Sequence, residues 1–374
     1  MIATSSPVIP AGWTAFVDPI LAAIEAQRTP IALLGLAGSG KSLVLSTLAL
    51  SFPDKRRSMV VLASTEEAAE DLHADLVFFH KLFGASIDHI LLFPEWGQLP
   101  YSSTRPPVEI VGTRMRALDQ LSAKKSHLVV TSVPAFLQRL LPQQTLREAS
   151  LNLKSESVIE RTEFVARLLR LGYTRVSAVE APGEFAVRGG IVDLFSSGQA
   201  APHRIEFLGD TVETLRLFDP STQKSAGRAT ELRVLPAREL LREGPQALEP
   251  LEPDAEWRAP AVYPTMQTLL DYFPQPPVLI ADEPLELQQH AETFLTEAAS
   301  AYAGLDPSAE PLSPPSELFL PLNDLMEAGG AHCLVTIDAI VSAEDQASEA
   351  SAMFRFETQR PQAIGIAVKG RPFA

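Results

Sequence analysis

Alternating apolar and polar residues over positions 183–220 constrain the fold of this chain more than any other feature. Apolar residues recur at every second position in several short runs, and turn-forming residues at 189–190 and 209–210 separate these runs. Such alternation predicts a small antiparallel sheet with one face on a core and the other toward solvent. The same periodicity places Arg188 and Arg204 on the solvent side of that sheet.

The preceding segment alternates strand-like and helix-like stretches, which is typical of a doubly wound α/β domain. Four apolar strands are predicted before the antiparallel segment, at 31–34, 59–63, 90–93 and 127–131. Ser64 is predicted to cap the helix that follows the second of these strands. A third segment repeats the pattern, with predicted strands at 278–281 and 333–340. The fold class is therefore α/β, with a parallel sheet and an antiparallel α+β domain between its two parts.

A phosphate-binding motif lies between the first strand and the first predicted helix of that domain. Gly35, Gly40, Lys41 and Ser42 fit the pattern G-x-x-x-x-G-K-S, with Gly38 as a further glycine in the loop. The glycines let backbone N–H groups wrap the phosphates, Lys41 would neutralise their charge, and Ser42 would hold Mg²⁺. The sequence therefore predicts a P-loop fold and an ATP/Mg²⁺ site. Whether such a loop binds or hydrolyses ATP stays open at this point.

Two acidic residues follow the strand predicted at 278–281. Asp282 would bind Mg²⁺ through water, and Glu283 could orient the attacking water. The alternative is an acidic turn that caps the helix beginning near Pro284.

Composition limits the other classes of function. The 46 acidic and 31 basic residues give a net charge of −15, which disfavours binding to nucleic acid phosphates. The single cysteine, Cys333, excludes an internal disulfide and fits a reducing compartment. The N-terminus lacks a signal-peptide pattern and no apolar run reaches membrane-spanning length, so a cytoplasmic protein is expected. The seven histidines show no ligand spacing, and no structural metal is expected.

The order of motifs over 183–220 resembles the domain shared by the excision-repair protein UvrB and the bacterial transcription-repair coupling factors. The shared features are a Gly-Glu-aromatic turn, an Arg-Gly pair, a strand ending Asp-Leu-Phe, an Arg-x-Glu-Phe strand and a closing Phe-Asp. A β-meander without this function is the alternative. The resemblance implies a surface that docks onto UvrA, carried by Arg188, Arg204, Glu206 and Phe207. In a purely structural interpretation, each arginine forms an exposed cross-strand pair with Glu184 or Glu206.

The segment after the third strand separates the two families. Residues 93–101 and 109–118 are similar to the coupling-factor pattern. UvrB carries a damage-probing hairpin after the corresponding Pro-Tyr, whereas here only Ser102–Pro107 lies between Tyr101 and the next predicted helix. Trp96 and Tyr101 are therefore predicted to pack within the loop. The resemblance favours the coupling factors and covers roughly residues 15–340. A UvrB-like ATP-hydrolysing damage-recognition motor is the alternative, and a degenerate motor that only masks another domain is a third.

By resemblance, the chain is the N-terminal module that recruits UvrA to RNA polymerase stalled at DNA damage. The whole protein would be an ATP-dependent DNA translocase that displaces the polymerase, and it would contact polymerase and DNA through a C-terminal part missing here. Because no second motor half follows, this piece is not expected to be catalytic alone, with Asp282 and Glu283 as a remnant at most.

The resemblance also implies a domain order. Residues 1–147 and 251–343 would form a P-loop RecA-like subdomain in two discontinuous parts. Residues 148–250 would form the inserted UvrA-binding domain, and 344–374 a linker and the start of a following domain.

Overall fold

The computed structural model describes residues 9–52, 57–123, 125–241, 252–306, 308, 310–328, 333–340 and 350–358. The domain boundaries predicted at 250 and 343 lie outside these residues, and the one at 147 falls within a helix that ends at Ala149. The division into domains therefore stays a prediction.

The first segment contains four strands, each followed in the chain by helical structure. The strands are β1 (Ile31–Leu34), β2 (Met59–Ala63), β3 (Ile90–Phe93) and β4 (Leu128–Ser132). The helices are α1 (Ala11–Glu25), α2 (Ser39–Ser51), α3 (Glu66–Leu82), α4 (Val108–Leu121), α5 (Val133–Leu137) and α6 (Gln143–Ala149).

The middle segment contains one helix, α7 (Arg161–Arg170), and eight strands. They are β5 (Leu151–Lys154), β6 (Thr174–Arg175), β7 (Glu184–Arg188), β8 (Ile191–Leu194), β9 (His203–Leu208), β10 (Thr211–Phe218), β11 (Ser225–Arg228) and β12 (Glu231–Val234). The third segment returns to alternating helices and strands: α8 (Ala259–Val262), β13 (Val278–Asp282), α9 (Pro284–Ala303), α10 (Pro315–Leu318), α11 (Leu322–Ala328), β14 (Leu334–Asp338) and β15 (Ala352–Arg355).

The first and third segments share one parallel sheet, so the predicted α/β class with a discontinuous parallel sheet is confirmed. Its seven strands lie in the order β15-β1-β14-β13-β2-β4-β3, and every pairing is parallel. Side chains of β2 alternate between two hydrophobic clusters, one on each face, because successive residues of a strand point to opposite sides. Both faces are buried under helices, which explains the continuous apolar runs in the sequence.

The inserted segment forms a second, six-stranded sheet in the order β11-β10-β9-β8-β7-β6. Its pairings are antiparallel except for the short β6–β7 contact. One face packs on a core that contains α7, with Phe164, Phe185 and Ile205 fully buried. A separate two-stranded sheet pairs β12 with β5.

Strand β15 lies in the interval that the sequence assigned to a linker and a following domain. It pairs with β1 and forms the edge of the first sheet. This position brings the chain after it, including Thr358, against the loop that follows β1.

A buried arginine joins the inserted domain to the parallel sheet. Arg114 of α4 is fully buried and donates to Glu239, which follows β12, with 2.5 Å between Nε and Oε1. Its Nη1 donates to the Pro94 carbonyl at 2.6 Å and its Nη2 to Gln138 at 2.9 Å. Trp96 also donates to Glu239, at 2.9 Å. One carboxylate therefore holds Arg114 and Trp96 of the first segment to the chain that follows β12.

The two loop aromatics are packed, as predicted, but against the third segment and not only within their own loop. Trp96 and Tyr101 both contact Trp257 of the third segment, with ring centroids 5.0 and 5.1 Å apart. Tyr101 also donates to the Ser313 carbonyl. Within the described residues, no helix combines the length and apolar character needed to cross a membrane.

Candidate functional site

The phosphate-binding motif adopts the strand–loop–helix arrangement that its mechanism requires. The loop leaves β1 at Gly35 and enters α2 at Ser39. Gly35 and Gly38 have φ angles of 79° and 57°, in the region that favours glycine. Lys41 and Ser42 fall in the first turn of α2, where unpaired backbone N–H groups favour an anion.

The structure brings the two predicted halves of this site together. Lys41 Nζ lies 2.6 Å from Asp282 Oδ2, although 241 positions separate them in sequence. Asp282 ends β13, two strands away from β1. Burial raises the pKa of the Asp282 carboxyl, and Lys41 offsets part of that effect. The other oxygen, Oδ1, is buried and has no hydrogen-bond partner among the described residues.

The remaining polar groups of the loop have partners that the sequence did not suggest. Ser42 is buried, and its hydroxyl donates to Asp75 of α3 at 3.2 Å. Glu283 has φ of 56°, and its Oε1 accepts from the Ala339 backbone at 3.0 Å. Glu283 occupies the N-cap position of α9, but its carboxylate makes no capping bond. Glu283 therefore lies at the helix start, as the acidic-turn alternative expected, but its side chain does not cap the helix.

A residue that sequence reasoning missed lies over the loop. Thr358 Oγ1 accepts from the Ala37 N–H at 2.7 Å and donates to the Gly35 carbonyl at 2.5 Å. A Cβ placed on Gly40 would lie 3.0 Å from the Thr358 methyl group. Phe356 N donates to the Leu34 carbonyl at 2.8 Å and continues the strand pairing up to the loop.

The second candidate site is the face of the antiparallel sheet that carries Arg188 and Arg204. Arg204 is paired across the sheet with Asp193, and Asp193 is paired with Ala186, so these three side chains lie on one face. Arg188 is two positions after Ala186 in the same strand and therefore lies on that face too. Arg188 is exposed and donates to the Ser177 carbonyl at 2.7 Å.

Arg204 differs from the predicted exposed side chain. Its guanidinium makes a bidentate pair with Asp193, at 2.7 Å from Nε and 2.9 Å from Nη2. The arginine side chain is 19% exposed and the aspartate 2%, so the pair is largely shielded from water. Arg204 also lies 4.9 Å from the centre of the Phe218 ring. The structural alternative named the wrong partner, since neither arginine pairs with Glu184 or Glu206 within the described contacts.

The other two predicted contact residues fall on opposite faces. Glu206 is half-buried on the arginine face, where its Oε2 accepts from Thr214 at 2.6 Å. Phe207 is buried on the core face, with its ring 6.0 Å from that of Phe164. The expectation for Phe207 is therefore corrected, because strand periodicity directs its side chain away from the arginines.

Comparison with known proteins gives one match to a protein family and a consistent set of relatives. Residues 151–240 match the UvrB interaction domain. The chain is 30% identical over 332 residues to the transcription-repair-coupling factor of Myxococcus xanthus, covering 78% of this chain and 27% of that protein.

Two further relatives carry the same name. The transcription-repair-coupling factor of Mycobacterium tuberculosis is 38% identical over 195 residues, which is 50% of this chain and 15% of that protein. The one of Escherichia coli is 26% identical over 318 residues, which is 78% of this chain and 27% of that protein. The chain thus spans about a quarter, or less, of the length of these relatives.

Proposed function

This chain corresponds to the UvrB-homologous region of transcription-repair-coupling factors, and on that premise we propose that it recruits UvrA in DNA repair. The observation that carries the proposal is the placement of Arg188 and Arg204 on one face of the matched domain. Arginine suits such a contact because its planar group makes bidentate bonds to carboxylates.

The contacts around the two arginines support this role. The Ser177 carbonyl uses one N–H of Arg188 and leaves the exposed remainder of the guanidinium for a partner. Asp193 and the Phe218 ring orient Arg204, so little side-chain entropy would be lost on binding. Glu206 adds an acceptor on the same face.

The names of the relatives also suggest an activity for the whole protein. Such a protein would use ATP to translocate on DNA and displace a stalled RNA polymerase, through parts that this chain does not include. A UvrB-like damage-recognition motor is the competing function. The six residues between Tyr101 and α4 favour the coupling-factor role, since they leave no room for a damage-probing hairpin.

A second candidate function, nucleotide binding at the P-loop, rests on the proximity of Lys41 and Asp282. Lys41 would exchange Asp282 for the β- and γ-phosphates, and the freed carboxylate would hold Mg²⁺ through water. Mg²⁺ would neutralise phosphate charge when bound. Ser42 could join that coordination by releasing Asp75. Fast hydrolysis needs more than this loop, because arginines from a second motor half normally stabilise the transition state.

Calorimetry with UvrA from the same organism tests the recruitment role. Arg188→Ala is expected to weaken binding about thirtyfold, the effect of a hot-spot side chain worth about 2 kcal/mol. Lys154→Ala, an exposed charge on the small β5–β12 sheet, is the matched control. If both variants keep wild-type affinity and melting temperature, Arg188 is not in the contact.

Labelled ATP tests the second function. Wild type should bind in a Mg²⁺-dependent manner, Lys41→Ala should not, and hydrolysis should stay negligible with DNA present. Rapid DNA-stimulated hydrolysis by this chain would favour the motor alternative.

A further inference from the structure

Three arginines lie directly opposite one another across neighbouring strands of the antiparallel sheet. Arg204 of β9 is paired in register with Arg216 of β10, and Arg216 is paired with Arg228 of β11. Strand β11 is the edge of the sheet, so this arginine row runs from the interior of the face to its border. Neighbouring strands are about 5 Å apart, and the row therefore spans about 10 Å.

The row has fewer acidic partners than guanidinium groups. Asp193 is fully used by Arg204. Glu206 lies 3.7 Å from Arg216, a long contact, and it already accepts a hydrogen bond from Thr214. Arg216 Nε is buried without a hydrogen-bond partner among the described residues. Arg228 is exposed, and the described part of the chain gives it no hydrogen bond or ion pair.

Exposure rises along the row in the direction of the sheet edge. The side chain of Arg204 is 19% exposed, that of Arg216 is 39% exposed, and Arg228 at the edge is open to solvent. Asp193 thus holds the inner arginine in place, whereas the outer two have N–H donors open to solvent. Like charges placed directly opposite on a sheet are destabilising. This arrangement is costly for the isolated domain, and an anionic partner would remove the cost.

We propose that Arg216 and Arg228 form an outer half of the UvrA contact, which binds carboxylates on an acidic surface of the partner. This inference rests on the proposed function and adds two residues beyond the family motif. The spacing fits acidic side chains at i, i+4 and i+7 on one face of a helix, which are about 5–6 Å apart. A protein is favoured over nucleic acid, because the whole arginine row lies within residues 151–240, which match the UvrB interaction domain.

Association kinetics with purified UvrA test this inference, using Arg216→Ala, Arg228→Ala and Arg228→Glu. Arg228→Ala should weaken affinity about fivefold, the effect of an exposed ion pair worth about 1 kcal/mol. Arg228→Glu should weaken it more, mainly through slower association, and the salt dependence should fall in each variant. All three should keep the wild-type melting temperature within about 2 °C, because Arg216 would lose only the long 3.7 Å contact to Glu206 and the side chain of Arg228 has no partner among the described residues.

The controls separate this inference from the recruitment role. Lys154→Ala removes one positive charge, as the two alanine variants do, and should bind as wild type does. If Arg188→Ala weakens binding while the Arg216 and Arg228 variants match Lys154→Ala, the outer half is overturned and recruitment stands. If the wild-type chain does not bind UvrA, both the recruitment role and the outer half of the contact are overturned. Binding of a labelled DNA duplex to the same variants tests the alternative partner. If Arg228→Ala loses DNA binding and keeps its affinity for UvrA, the inference is also overturned.

Discussion

The hydroxyl of Thr358 accepts a hydrogen bond from the backbone N–H of Ala37, with 2.7 Å between oxygen and nitrogen. Ala37 belongs to the loop whose N–H groups would hold nucleotide phosphates. The same hydroxyl donates to the Gly35 carbonyl, so two residues in the first half of the loop are bonded to one side chain. A phosphate entering the loop would have to displace Thr358.

Removal of this hydroxyl should therefore strengthen nucleotide binding. Thr358→Ala deletes both hydrogen bonds of the hydroxyl to the loop. The one from the Ala37 N–H, worth about 1 kcal/mol, is the one that competes with phosphate, so the affinity for Mg²⁺–ATP should tighten about fivefold in equilibrium titrations. Thr358→Ser keeps the hydroxyl and should bind as wild type does. Ser351→Ala is a control in the same segment, where the lost hydroxyl contacts Thr29 away from the loop. Equal affinities for Thr358→Ala and Thr358→Ser would show that Thr358 does not compete with phosphate.

The Arg204–Asp193 pair should matter for stability as well as for binding. Arg204→Ala leaves the buried Asp193 carboxylate without its partner, and the free energy of unfolding should fall by about 3 kcal/mol. The double variant Arg204→Ala/Asp193→Asn removes the stranded charge and should recover part of that loss in urea unfolding. Additive losses in the double variant would mean that the two side chains are not coupled.

Arg114 should hold the inserted domain against the parallel sheet. Arg114→Lys keeps the charge but cannot reproduce the contacts to Glu239, Pro94 and Gln138. Because these groups are buried, we expect a loss of about 2–3 kcal/mol in unfolding free energy and faster proteolysis between the two domains. Arg116→Lys, on the same helix, is the control. Equal protease sensitivity of the two variants would contradict a role for Arg114 in domain attachment.

Periodicity and motif context predicted the parts of the fold that depend on local sequence. The alternation over 183–220 gave the strands and the shared face of Arg188 and Arg204. The strand before the glycine-rich loop and the strand before Asp282 predicted two halves of one site, and Lys41 and Asp282 lie 2.6 Å apart in the structure. Periodicity also placed Phe207 on the core side, and only the family resemblance had assigned it to the contact.

The missed features depend on register and on distant segments. Asp193 and Arg216 border Arg204 only because of the pairing register, which the sequence does not reveal. Thr358 contacts the P-loop because β15 pairs with β1 over 300 positions earlier in the chain. One local error also occurred at a helix start, where Thr65 and not Ser64 accepts the capping bond from Ala68.

Buried histidines should make the parallel-sheet domain sensitive to acid. His80 is fully buried, and its Nδ1 donates to the Leu76 carbonyl at 3.0 Å while Nε2 has no partner among the described residues. Burial, with a contribution from the nearby His89, lowers the pKa of His80 to about 4. The unfolded chain takes up this proton near pH 6.5, whereas the folded chain does not until about pH 4, so stability falls as the pH decreases through that window. Between pH 7.5 and 5 the loss from His80 should be about 2 kcal/mol.

His80→Leu should therefore flatten the acid side of the stability profile. Urea unfolding at pH 7.5 and pH 5 would measure the difference, with the variant losing about 2 kcal/mol less than wild type over that interval. His127, whose pKa burial also lowers to about 4, gives a second variant of the same kind, His127→Leu. A His80→Leu profile parallel to that of wild type would mean that the imidazole is protonated in the folded state well above pH 5, and the water-excluded environment inferred for it would be wrong.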